Sequence, residues 1–315
     1  MRNAVRSVFN PSGLALVAVV VLGAALRFAR LGHQSFEYDE IVTLQHVHQS
    51  FGGMLSSFPD FSESTPPLYY VLVWPWTKLF GTSEAGIRSL SALVGTATVP
   101  VAYLVGRTML RSRAGGLVVA LLVSVAPVLV WYSQEARSYA LFVFLGALSL
   151  LFFARALDEP TRRDLGLWAL FSALAVATHY FAGFLVLAEA AIFLPRLGRR
   201  AVPPIVGVLV VSAALAPLAY RRVHTGGEKW AWFRGNSIPG RLHELLERFV
   251  YFNYDPGRTP LLVVAVAAAA ALGFYGRRVG RAREALVVAG LTIGVPLLLS
   301  LVGFDIFEYR NLLVA

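Results

Sequence analysis

The 315-residue chain contains no cysteine. It therefore has no disulfide framework, no thiolate nucleophile and no Cys-ligated metal, although this leaves the compartment open. Charge is also scarce: 15% of residues are Asp, Glu, Lys or Arg, against about 25% in a soluble globular domain. There is no P-loop, G-x-G-x-x-G, H-E-x-x-H or Ser/His/Asp pattern. Between Leu31 and Ser64 there is no Lys or Arg at all, in a chain whose formal net charge is +10. That stretch holds five carboxylates: Glu37, Asp39, Glu40, Asp60 and Glu63.

What is abundant is apolar sequence. Hydrophobic residues make up 57% and the mean hydropathy is +0.64, the balance of a polytopic membrane protein. The basic excess does not point to nucleic acid, because the arginines sit in short clusters between apolar runs, as membrane anchors do. Met1–Arg6 followed by the apolar Leu14–Leu26 has the outline of a signal peptide. It lacks a clear small-x-small cleavage site and many apolar segments follow, so a retained span is expected. Eight further runs near spanning length, about 17–25 residues, lie at Ile87–Val105, Gly115–Trp131, Tyr139–Ala156, Leu165–Tyr180, Ala182–Leu197, Pro203–Tyr220, Pro260–Tyr275 and Ala285–Val302. The expectation is an all-α bundle of nine complete spans in one domain, residues 1–315. A tenth span would begin at Asn311–Ala315 and continue in a missing C-terminal remainder.

Pro66–Phe80 decides the sidedness. If it does not span, Arg2/Arg6, Arg107/Arg111/Arg113, Arg155/Arg162/Arg163, Arg196/Arg199/Arg200 and Arg277/Arg278/Arg281/Arg283 all fall on one side, and the Arg-free stretch falls on the other. The positive-inside rule favours that arrangement. The segment is also short and carries Pro66, Pro67 and Pro75, as an interfacial or re-entrant helix would. The outer loops are then 31–86, 131–138, 221–258 and 304–310. Within the third, Trp230, Trp232, Phe233 and Arg241–Arg248 read as an amphipathic interfacial helix.

Candidate chemistry lies on the outer side. Asp39 and Glu40 follow the first span. A carboxylate pair beside hydrocarbon suits a general base; equally, Asp39 could cap a helix Ile41–Gln49 while Glu40 eases its dipole. Glu135 and Arg137 sit at the joint between two spans, either as a mutual salt bridge or as a pocket wall facing Asp39. His179 and Arg310 could hold a lipid phosphate or snorkel at the interface. His46 and His48, two apart, cannot share a helix face and form no metal-ligand pair.

Tyr38-Asp39-Glu40 after an apolar first span, Thr65-Pro66-Pro67-Leu68-Tyr69-Tyr70, Gly86-Ile87-Arg88-Ser89-Leu90-Ser91 and Tyr132-Ser133-Gln134-Glu135-Ala136-Arg137-Ser138-Tyr139-Ala140-Leu141 together resemble the GT-C membrane glycosyltransferases. The match is strongest over 20–180 and nearest the protein-O-mannosyltransferase-like and aminoarabinose-transferase-like group. The resemblance implies a multi-pass protein of the plasma membrane. It would transfer a sugar, with inversion, from a polyprenyl-phosphate donor to a glycan, lipid or protein hydroxyl on the extracytoplasmic face. It makes Asp39 the base with Glu40 beside it. Glu135, Arg137, Tyr139, Thr65 and Tyr69 would form the substrate pocket, with His179 and Arg310 near the phosphate. Thr65 departs from the pattern, since many relatives carry His there. A divalent metal is compatible with the group, and no cofactor is otherwise implied. A flippase of lipid-linked glycans and a non-catalytic scaffold are the competing classes. Clustering of charge at one face weighs against the flippase.

Overall fold

A computed structural model describes residues 11–58, 65–225, 238–250, 276, 278–302 and 312–313. The described residues are helical throughout, with no strand. In chain order the helices are α1 (Pro11–Phe28), α2 (Tyr38–Val47), α3 (Phe51–Ser57), α4 (Leu68–Phe80), α5 (Glu84–Leu110), α6 (Arg113–Val125) and α7 (Pro127–Ser133). They continue with α8 (Tyr139–Asp158), α9 (Arg162–Thr178), α10 (Ala182–Leu197), α11 (Val202–Thr225), α12 (Ile238–Val250) and α13 (Ala282–Leu301).

Among the described residues, five stretches are long and apolar enough to cross a membrane: Pro11–Phe28, Glu84–Leu110, Tyr139–Asp158, Ala182–Arg221 and Ala282–Leu301. The pair α6–α7, bent by 58°, would be a sixth. These stretches do not confirm the expected nine. Gly115–Trp131 is not one straight span, because Pro127 starts a new helix and Ala126, before it, is extended at ψ 118°, as a residue preceding proline prefers. Leu165–Tyr180 falls largely within the 17-residue helix Arg162–Thr178, at the lower edge of spanning length. Ala182–Arg221 is 40 residues long, about twice what a bilayer needs, and Gly198 interrupts it at φ 55°. The expected spans Ala182–Leu197 and Pro203–Tyr220 lie on either side of that break. Pro260–Tyr275, the Asn311 start and loop 304–310 fall outside the described residues, as do Asp60, Glu63, Trp230, Trp232 and Phe233.

The helix ends follow from local chemistry. Ser83, Ser112 and Thr161 each accept the backbone N–H three residues on, the usual N-cap bond. α4 has 13 residues, about 20 Å at the α-helical rise, and is too short to cross. It packs on α2 and α5, where Trp74 Nε1 donates to Gln49 O (3.0 Å) and Trp76 Nε1 to Ser89 Oγ (3.0 Å).

α5 is the spine, touching α1, α6, α7, α8 and α4. Against α6 the fit is close: a Cβ on Gly116 would stand 2.8 Å from Tyr103 O, and one on Gly106 2.8 Å from Val119. Small residues at that seam let the backbones approach. The main core joins α2, α4, α5, α8, α9 and α10 through Tyr70, Ile87, Phe142, Phe153, Trp168 and Phe193. Its polar centre is Glu189, fully buried, whose Oε2 accepts from Ser149 Oγ (2.7 Å) and Trp168 Nε1 (2.8 Å).

The two ends of the bundle differ in charge. At one end α1 finishes and α5 and α8 begin, with Glu37, Asp39, Glu40 and Glu135. At the other, α5 and α8 finish in an arginine-rich rim. There Asp158 binds both Arg111 (2.8 Å) and Arg281 (2.6 Å), and Arg196 pairs with Glu284 (2.8 Å). Leu242 of α12 packs against Leu312, as do Ile293 and Leu297 of α13.

Candidate active site at the acidic end

α2 starts earlier than the sequence suggests. Its N-cap is Glu37, and the backbone N–H of Glu37 donates to Glu40 Oε2 at 3.0 Å. Glu40, not Asp39, therefore serves the helix start. The placement also separates two adjacent carboxylates. Glu40 is 1% exposed, whereas the Asp39 side chain is 46% exposed.

Glu40 is held on every side. Arg88, in the first turns of α5, donates Nε to Glu40 Oε1 (2.8 Å) and NH2 to Oε2 (2.6 Å). The backbone N–H of Ala136 donates to Oε1 (2.8 Å). Burial alone would raise the pKa of Glu40, but Arg88 and the Ala136 and Glu37 N–H groups bring it below its ordinary value. Arg88 also donates to the carbonyls of Leu31, Gln34 and Ser35, so one guanidinium gathers the loop 31–37 around the carboxylate. Such a pair stabilises only because its donors and acceptors are matched.

The turn 134–137 is the opposite wall. Thr43 Oγ1 donates to Ala136 O (2.9 Å). Arg137, 4% exposed, donates NH1 to Asp39 O (3.2 Å) and to Tyr70 Oη (3.3 Å), and its NH2 lies 4.0 Å from Asp39 Oδ2. Glu135 instead accepts from Trp131 Nε1 (2.5 Å). Of the two readings of this turn, the mutual bridge between Glu135 and Arg137 gives way to these separate partners. Burial pushes the Glu135 carboxyl up to about 7; the Trp131 hydrogen bond opposes this, and the charges of Glu37 and Glu40 reinforce it.

An aromatic floor lies beneath. The Arg137 guanidinium is 6.0 Å from the Tyr139 ring, the outer limit of a cation–π contact. His179 is 5.8 Å from Tyr139 and stacks on Phe142 at 4.7 Å. Tyr69 is fully buried, with Oη 3.4 Å from Ser91 Oγ, and burial raises its pKa. It also borders an apolar crevice with Leu72, Leu90, Ser91, Val94 and Leu141. Thr65 is 5% exposed. His46 packs between Phe58 (5.2 Å) and Tyr70 (4.7 Å).

Contacts thus link Asp39, Glu40, Arg137, Tyr139 and His179, and Tyr69 joins them through Ser91, which donates to Arg137 O (3.4 Å). Arg310 lies outside the described residues. Sequence reasoning missed Arg88, Tyr70 and Thr43 as site-building residues. An arginine in the first apolar turns of α5 was the available signal, since a charge there must find a partner. Among the described residues no three His, Asp or Glu side chains converge in a metal-binding group.

Residues 64–220 match the family described as dolichyl-phosphate-mannose-protein mannosyltransferase. An uncharacterized protein of Aquifex aeolicus (strain VF5) is 30% identical over 128 residues, 41% of this chain and 26% of that protein. The crystal structure of the Archaeoglobus fulgidus oligosaccharyltransferase complex with Zn and sulfate is similar at 13% identity and a TM-score of 0.43, over 95% of this chain and 52% of the other. The chain thus spans about a quarter of the matched relative and about half of the matched structure. The matched region contains α4, the spine α5 and the Glu135–Arg137 turn, and over it the chain is similar to the dolichyl-phosphate-mannose-protein mannosyltransferase family.

Proposed function

We propose that the chain is an inverting glycosyltransferase of the plasma membrane that moves a sugar from a polyprenyl-phosphate donor to an acceptor hydroxyl on the extracytoplasmic face. The observation that carries this is the division of labour between Asp39 and Glu40. One carboxylate is locked in a buried pair with Arg88, and its neighbour stands open beside the Arg137 cation. An open carboxylate on a rigid mount is what a general base requires.

In this reading Asp39 takes the proton of the acceptor hydroxyl. The hydroxyl oxygen bonds to the anomeric carbon from the face opposite the phosphate. The bond from that carbon to the phosphate oxygen breaks, and polyprenyl phosphate leaves with the electron pair. Arg137, His179 and Arg310 provide cationic or hydrogen-bonding character for the phosphate. Glu40 positions Asp39, and Glu135, Tyr139, Thr65 and Tyr69 shape the substrate pocket. The related family's name makes a mannosyl donor the first to try; glycan, lipid and protein acceptors all present the hydroxyl the chemistry needs.

The broken pair α6–α7 favours the flippase reading, because discontinuous helices mark many transporter sites. Its freed carbonyls are sealed by Arg27, however, and not turned to a pathway. Transfer from defined polyprenyl-phosphate sugars by wild type and Asp39→Asn in nanodiscs tests the proposal. Equal turnover by both proteins rejects the assignment of the base.

A further inference from the structure

Arg27 is 1% exposed near the end of α1. Every hydrogen bond that it makes runs to uncharged groups. Nε donates to Ser133 Oγ (3.2 Å), NH1 to Gly23 O (3.1 Å) and Ser124 O (2.9 Å), and NH2 to Val123 O (2.9 Å). Val123 and Ser124 belong to the last turn of α6, whose carbonyls lose their helical partners where Pro127 starts the next helix. A cation at a helix C-terminus is also favoured by the helix dipole.

The relation is reciprocal. Gln134, directly after α7, donates its amide to the carbonyls of Leu26 (3.0 Å), Arg27 (3.3 Å) and Ala29 (3.0 Å), the end of α1. Each broken helix end thus receives its cap from the other element. Two glycines make room: a Cβ on Gly95 would stand 2.1 Å from Ser133 Oγ, and one on Gly23 would stand 2.9 Å from Ser124 Oγ.

The next residues after Gln134 are Glu135, Ala136 and Arg137. We propose that Arg27, working with Gln134, is a positioning residue that sets the angle of the α6–α7 break and thereby the place of the Glu135–Arg137 wall relative to Asp39. It touches no substrate. The catalytic consequence rests on the transferase reading, whereas the structural one does not. Misplacing a catalytic wall by about 1 Å can cost roughly a hundredfold in rate.

The test uses the full chain in nanodiscs with two readouts. Hydrogen–deuterium exchange reports the turn, and transfer from a short-chain polyprenyl-phosphate mannose reports the reaction. Arg27→Met is expected to speed exchange over 123–137 while α8 stays protected. It is also expected to lower kcat roughly a hundredfold with KM for the donor little changed, and Arg27→Lys should recover part of both. Gln134→Leu, which spares the buried cation, should loosen the same turn and serves as the milder variant if Arg27→Met does not fold. Wild-type protection of 123–137 in both variants overturns the proposal. So does loosening spread evenly over the bundle in Gln134→Leu, which would make the cap merely structural. If wild type shows no transfer while the exchange result holds, the transferase reading fails and the positioning of the turn stands.

Discussion

Glu40 and Arg88 meet at two points, 2.8 and 2.6 Å, with side-chain exposures of 1% and 4%. The pair joins the start of α2 to the start of α5 and, through Ala136, to the turn before α8. Removing one partner strands a charge where water does not reach. Arg88→Met and Glu40→Gln are each expected to cost about 3–5 kcal/mol, and the double variant less than the sum because no lone charge remains. Thermal unfolding in detergent measures all three.

Asp39 should behave oppositely. Its side chain is 46% exposed, so Asp39→Asn is expected to leave the melting temperature nearly unchanged. Transfer should fall by about 10²–10⁴-fold, the usual contribution of a general base. Loss of stability comparable to that of Glu40→Gln would mean that Asp39 is part of the scaffold.

Glu135 carries a pH signature. Its carboxyl is raised to about 7 in the folded protein, chiefly by burial, from about 4.3 in an unfolded chain. The folded state therefore binds the extra proton between those values, and stability is greatest at the acid side and falls as pH rises through that window. Glu135→Gln should flatten this part of the stability profile. An unchanged slope would remove Glu135 as its source.

Gly95 has no room for a methyl group, because its Cβ would lie 2.1 Å from Ser133 Oγ and 2.7 Å from Ser133 Cβ. Gly95→Ala is expected to destabilise by about 1–3 kcal/mol, the range for overpacking. Adding Ser133→Gly should restore part of that loss, read from the same melting curves. No recovery would show that the crowding is not with Ser133.

Glu189 binds Ser149 and Trp168 from within the core. Glu189→Gln keeps an acceptor for both donors and should be close to neutral. Glu189→Leu strands them and should cost about 1–3 kcal/mol. Equal melting of the two variants would show that the hydrogen bonds contribute little.

The hydropathy runs located the long helices well, and the structure brings Asp39, Glu40, Arg137 and Tyr139 together at one end of the bundle. Three features were not legible. The break at Ala126–Pro127 was hidden because apolar residues continue through it, so composition does not register the lost hydrogen bonds. The roles of Asp39 and Glu40 could not be separated, since neighbours in sequence differ here only in which one meets Arg88, 48 positions away. The partners of Arg27 and Arg88 are carbonyls and a carboxylate brought in from distant segments, which the sequence does not place beside them.

The junction at the arginine-rich rim bears on the order of assembly. Arg281 N–H donates to Met109 O (2.6 Å), its side chain grips Asp158 from 123 positions away, and Gly280, at φ 53°, has no space for a Cβ beside Met109 O. None of these contacts can exist until residues 280 and 281 have been synthesised. Until then, of its two partners in the fold, Asp158 has only Arg111 within reach. The docking of α13 then closes a seat prepared long before, a late step of the kind that long sequence separation imposes on folding.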